Sequence, residues 1–191
     1  MKIEKLPMSV LFTVLLCFAF SVIKAQAQEY VSPTKPVQKG RSPGVKVKLI
    51  SGDGSTKTYV LVFAKGDEVM SGLTEFAEKY NVKSAHFTAI GDATTAKIGW
   101  YDGSRKMFRV NSISGQSEIT SLIGDIAISN GNPVVHAHIN LAAADGTVRG
   151  GHLLEAFVAP TLEVMITVEP APLYKKPDTE FGLNVIDPDR Q

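Results

Sequence analysis

The sequence predicts an α+β fold: a single domain with a largely antiparallel sheet of about seven strands and one main helix packed on it. Three observations predict it. One stretch, Val69 to Tyr80, repeats apolar residues at helical spacing. About seven runs rich in β-branched and aromatic residues accompany it, joined by compact turn signals such as Asp102-Gly103 and Asn130-Gly131. The chain is 191 residues long, which suits one domain that can bury a single core.

The first 27 residues do not belong to that domain. Lys2 and Lys5 make a basic start, Ser9 to Val22 is a run of apolar and small residues, and Ala25-Gln26-Ala27 has the small-x-small form of a signal-peptidase site. Residues 1–27 are therefore read as a signal peptide cleaved after Ala27. That address is secreted or periplasmic and leaves no stable membrane insertion. A retained anchor fits less well, because the apolar run is short for a spanning helix. Lipid attachment at Cys17 is disfavoured by Leu16, which stands where a small residue is wanted. Cys17 is the only cysteine of the chain, so the mature protein has neither disulfides nor thiolate metal ligands. Losing Lys2, Glu4, Lys5 and Lys24 turns the formal net charge of +1 into about −1. Such a balance carries no electrostatic footprint for nucleic acid.

Residues 28–44 hold Pro33, Pro36 and Pro43 among polar residues and are expected to form a flexible linker, with the folded domain at 45–191. Lys57 to Phe63 reads as the first strand. Asp67 is the candidate N-cap of the helix that follows, whose apolar face is Val69, Met70, Leu73, Phe76, Ala77 and Tyr80. Ser84 to Ile90 is a strand ended by Gly91-Asp92, and Ala96 to Tyr101 and Met107 to Ser112 form a hairpin. Glu118 to Ser129 is a long strand with a bulge or bend expected at Gly124. Pro133 to Leu141, Gly150 to Val158 and Leu162 to Val168 complete the sheet. The proline-rich segment from Pro170 onward is expected to pack along the surface.

Three of the four histidines lie in two adjoining strands, His136 and His138 in one and His152 in the next. Side chains alternate along a strand, so Val134, His136, His138 and Asn140 share one face. Val135, Ala137, Ile139 and Leu141 share the other, which is wholly apolar and must face the core. Whether His152 joins the pair depends on the intervening turn. A three-residue loop at Ala144-Asp145-Gly146, with Gly146 left-handed, sets His138 directly opposite His152, Cβ atoms about 5 Å apart. A two-residue turn would point His152 away.

Three converging imidazoles suit a borderline divalent metal, zinc above all, with a fourth position open for water or a small ligand. Asn140 could orient such a ligand, and Gly150 and Gly151 would let it approach closely. From spacing alone, a metal site and a hydrogen-bonded histidine cluster at a sheet surface or subunit interface both stay open. Glu155 is expected on the core side, so no general base and no catalytic residue is assigned. His86, between Ala85 and Phe87, is read as structural.

The order of these signals from about Tyr59 to Leu183 resembles the plants-and-prokaryotes-conserved (PPC) domain family. The resemblance rests on Gly66-Asp67-Glu68, Ala89-Ile90-Gly91, the strand Glu118 to Ile126, Gly131-Asn132-Pro133-x-x-His136-x-His138, Gly150-Gly151-His152-Leu153 and Thr161-Leu162-Glu163-Val164. It implies an α+β domain assembled as a homotrimer, with a metal held by His136, His138 and His152. Plant members join this domain to DNA-binding hooks, and prokaryotic relatives are often labelled DNA-binding by that analogy. Here Lys39-Gly40-Arg41-Ser42-Pro43 lacks the first Arg and the Arg-Pro pair of such a hook, and the chain is near neutral. The expectation is an exported homotrimer with a three-histidine metal site for a small molecule. A DNA-binding module and a purely structural oligomer are its rivals.

Overall fold

The computed structural model describes residues 27–190 except Asp53, so almost all of the expected signal peptide lies outside the described residues. The main sheet has seven strands, all paired antiparallel: β1 (Tyr30–Val31), β2 (Lys46–Ser51), β3 (Lys57–Ala64), β4 (Ser84–Asp102), β5 (Met107–Ser129), β6 (Asn132–Ala142) and β7 (Val148–Val168). The helix α1 (Val69–Lys79) packs on one face. A small hairpin of β8 (Lys175–Asp178) and β9 (Leu183–Ile186) follows. The predicted α+β architecture is what the chain adopts.

Alternation explains the core. In β3, Tyr59, Leu61 and Phe63 are buried while Val62 faces solvent. Val69, Met70, Leu73, Phe76 and Ala77 on α1 close over them and over Leu162, Val164 and Ile166 of β7. Each such side chain removed from water contributes roughly 1.5–3 kcal/mol. The helix begins differently from expectation. Its N-cap is Glu68, whose buried carboxylate accepts from Met70 N at 3.1 Å and Ser71 N at 2.7 Å. Asp67 instead accepts from Gly44 N and Ala64 N and so fastens the chain before β2 to the end of β3.

The segment 28–44, expected to be a flexible linker, is bound along the domain. Tyr30 and Val31 pair with Arg109 and Phe108. Arg41 N donates to Ser71 Oγ, Arg41 Nη1 reaches Glu155 Oε2 at 2.8 Å, and Ser42 is buried. Arg41 and Ser42 are matched to polar groups at the start of α1, a pairing that composition does not reveal.

β4, β5 and β7 are each one long strand where two were expected, β7 running on through Pro160. The breaks are β-bulges, between Ala89 and Gly91 and between Ala93 and Thr95 in β4, which shift the register without ending the pairing. Gly124 is not the site of a bulge. A Cβ there would run into the His136 backbone carbonyl and stand 3.0 Å from Phe87 Cε1, so the glycine makes room for the paired backbone and for a core ring.

The sheet also closes on itself. β4 pairs β5, β5 pairs β6, β6 pairs β7 and β7 pairs β4. β6 is held on both edges only from His138 to Ala142. From Asn132 to Ala137 it pairs with β5 alone, because β7 has by then moved across to β4.

Candidate metal centre

The three histidines meet where β6 and β7 part. Gly146 has φ +79°, Ala143 N donates to Thr147 O at 2.9 Å, and Gly146 N donates to Ala143 O at 2.9 Å. This is the three-residue loop on which the cluster depends, and the hairpin it starts places His138 opposite His152. Val135, Ala137, Ile139 and Leu141 are buried, so His136 and His138 stand on the opposite face as alternation requires. Ring centroids are 5.2–5.5 Å apart, and one nitrogen from each ring lies within 4.8 Å of the others. Nitrogens bound to one tetrahedral zinc lie roughly 3.4 Å apart, as follows from Zn–N bonds of about 2.0–2.1 Å. Small side-chain rotations span that difference, so the residues fit an ion.

The surroundings favour imidazoles in the form that binds metals. Burial, with the neighbouring His136, His138 and Lys175 adding to it, pushes the pKa of His152 down to about 3. Burial and then the charge of His136 lower that of His138. Both rings therefore stay neutral at pH 7. His152 also stacks on Phe108, centroids 4.2 Å apart and planes 12° from parallel, which fixes its plane.

His136 is oriented by Asp125, which the sequence reading missed. Its Nδ1 lies 3.3 Å from Asp125 Oδ2, which assigns the proton to Nδ1 and leaves Nε2 as the donor for a metal. Burial works against the Asp125 carboxylate, but His136 and Lys175 outweigh it and hold its pKa below the ordinary value. Lys175 Nζ sits 3.0 Å from Asp125 Oδ1, an ion pair not aligned as a good hydrogen bond. A signal for Asp125 existed. Asn130-Gly131 forms the hairpin turn, with both residues at positive φ, and counting outward from it sets Asp125 opposite His136. Phe108 and Lys175 carry no such signal, since they arrive through sheet closure and through the C-terminal segment.

The expected ligand-binding residues lie beside the cluster. Asn140 is exposed and donates from Nδ2 to Ser121 Oγ at 2.9 Å. Gly150 and Gly151 have local reasons to lack side chains: a Cβ on Gly150 would stand 2.9 Å from Ile139 O, and one on Gly151 2.9 Å from Gly99 O. Glu155 departs from expectation. The register slips between Lys97 and Ile98, which face Glu155 and Leu153, so alternation reverses and Glu155 leaves the core side to pair with Arg41. His86 is exposed, with Nδ1 3.7 Å from Glu169 Oε1, and does not join the cluster.

Comparison with known proteins agrees with this architecture. No curated protein sequence matches the chain. A protein from Pyrococcus horikoshii, described as plant- and prokaryote-conserved (PPC), has 28% identity and a TM-score of 0.65, covering 76% of this chain and 97% of its own. A metal-containing protein from Archaeoglobus fulgidus has 29% identity and a TM-score of 0.64, covering 74% and 97%. A protein from Ralstonia eutropha JMP134, described provisionally as DNA-binding, has 33% identity and a TM-score of 0.64, covering 68% and 90%. The Plants and Prokaryotes Conserved (PCC) domain model matches residues 50–169, and the chain belongs to that family.

Proposed function

We propose that this is an exported, homotrimeric protein whose His136, His138 and His152 hold a divalent metal, zinc by the chemistry of the donors, with one position open to a small molecule. One observation carries the reading: three imidazole nitrogens within 4.8 Å of one another, two of them on rings that burial keeps neutral. A three-imidazole set leaves a tetrahedral ion one position for water or a ligand, where a Lewis acid polarises a carbonyl or lowers the pKa of bound water. Asn140 lies on the same face and supplies a hydrogen-bonding group for an incoming ligand. The description of the Archaeoglobus relative as metal-containing agrees with the assignment.

Self-association is supported by the sheet face that carries the cluster. Met165, Thr88, Ile123 and His138 form one lateral row across β7, β4, β5 and β6. Ile90, Ile123 and Met165 on this face are exposed by 64, 55 and 47%. Apolar exposure of this kind suits contact with further copies of the chain.

Metal analysis of the purified protein tests the reading. The expected result is close to one ion per chain, lost in His136→Ala. A content near zero that His136→Ala does not alter refutes it. DNA binding, suggested by the provisional description of the Ralstonia relative, predicts association at low salt, where phosphate contacts are strongest. A purely structural oligomer predicts intact trimers after chelation and no bound ligand.

A further inference from the structure

We infer that the C-terminal segment, which lies beyond the family-matched residues 50–169, is a working part of the metal centre: Lys175 positions Asp125, and through it the His136 imidazole. The inference rests on the metal reading above. Lys175 opens β8, and its side chain is only 4% exposed although it carries an ammonium group. A buried charge of this kind is tolerated only against a partner, and the partner here is Asp125 Oδ1. The other oxygen of the same carboxylate faces His136 Nδ1. The carboxylate thus stands between the two, with the Lys175 ammonium at one oxygen and the His136 ring at the other.

The segment is fastened on both sides of that contact. Before it, Ile128 N donates to Leu173 O at 2.7 Å, Leu173 N donates to Lys83 O, and Tyr174 bridges to Ile128. After it, Lys106 Nζ donates to Thr179 O, and the Tyr101 hydroxyl donates to Phe181 O. The chain therefore runs from the β5–β6 turn to the β4–β5 hairpin, with Lys175 at Asp125 along the way. Partners in the outer shell of a metal commonly change affinity by about 10–100-fold.

Charge and position predict opposite signs, and this makes the inference testable. Removing a cation near a divalent ion would tighten binding by simple repulsion, whereas releasing Asp125 and His136 would weaken it. Zinc affinity by competition with a chelating dye, and the visible spectrum of the cobalt(II)-substituted protein, are measured for the parent, Lys175→Met, Lys175→Arg and Asp125→Asn. Lys176→Met serves as the control, since Lys176 pairs with Asp187 away from the cluster. The expected result is about tenfold weaker zinc binding and an altered cobalt spectrum at saturation in Lys175→Met. Asp125→Asn should behave alike, Lys175→Arg should recover most of the loss, and the control should match the parent. The double variant Lys175→Met/Asp125→Asn leaves no orphaned charge, and should show the same loss if the single variants fold poorly. Unchanged or tighter binding in Lys175→Met overturns the inference while leaving the metal site standing. A parent protein that binds no zinc overturns both.

Discussion

Replacing Glu68 by alanine should destabilise the protein far more than an ordinary helix-cap change. Its Oε1 accepts from Met70 N and from Ala156 N of β7, both at 3.1 Å, and its Oε2 accepts from Ser71 N at 2.7 Å. Loss of an N-cap costs about 1 kcal/mol. The orphaned, buried Ala156 N–H adds about 1–3 kcal/mol. Together these give about 2–4 kcal/mol, or a fall in Tm of about 5–15 °C for a domain of this size. Glu68→Gln keeps one oxygen acceptor and should lie between parent and alanine. The sign of the pH dependence follows separately. Burial raises the pKa of Glu68 above 4.5 against the opposing N–H groups and Arg41. The folded state therefore holds that proton more tightly than the unfolded chain. This contribution is fully present below pH 4.5 and is lost as pH rises through the raised value. Urea denaturation of parent and Glu68→Ala across pH 4–7 measures both effects. A loss under 0.5 kcal/mol, taken as negligible for a surface change, together with an unchanged slope against pH, would refute the reasoning.

His152 gives the opposite sign. Its folded pKa of about 3 lies below the ordinary 6.5, so the metal-free protein should lose stability as pH falls from 6.5 toward 3. His152→Phe, stacked on Phe108, should flatten that decline, and urea midpoints at pH 7.5 and 5 measure it; equal declines in both proteins would contradict the assignment. Gly124→Val drives a side chain into the His136 backbone carbonyl as well as the Phe87 ring, and should cost at least about 1–3 kcal/mol, read as a lowered Tm. Phe87→Leu in the same chain should recover little of that loss, because the contact with the His136 carbonyl remains, and a parent-like melt of Gly124→Val would show that the space is not tight.

Local rules carried the sequence reading as far as local rules reach. The helix, the hairpins and the face of His136 and His138 follow from periodicity, and the left-handed glycine at 146 sets the register that brings in His152. Asp125 was within reach by the same counting from Asn130-Gly131. Bulges defeated the count elsewhere, since each reverses the alternation: Glu155 moved from the expected core side to the surface, and β4 and β5 ran on through apparent breaks. Residues 28–44 look solvated by composition, and only the polar groups around the start of α1 show why they are bound. Lys175 lies 27 residues beyond the start of β7, at Val148, and nothing local links it to Asp125.

The parting of β6 and β7 gives the histidines a mechanical role as well as a chemical one. His138 and His152 are the last pair of that ladder, and His136 is the next outward-facing residue of β6 past the point where the ladder ends. Past that tip the two strands are drawn apart by other partners, β6 by β5 and β7 by β4. An ion gripped by all three rings would clasp the two strands at that tip and set how far they can spread. Ligand occupancy would then be legible as hydrogen-exchange protection of the Ile139 and Gly151 amides beside the fork.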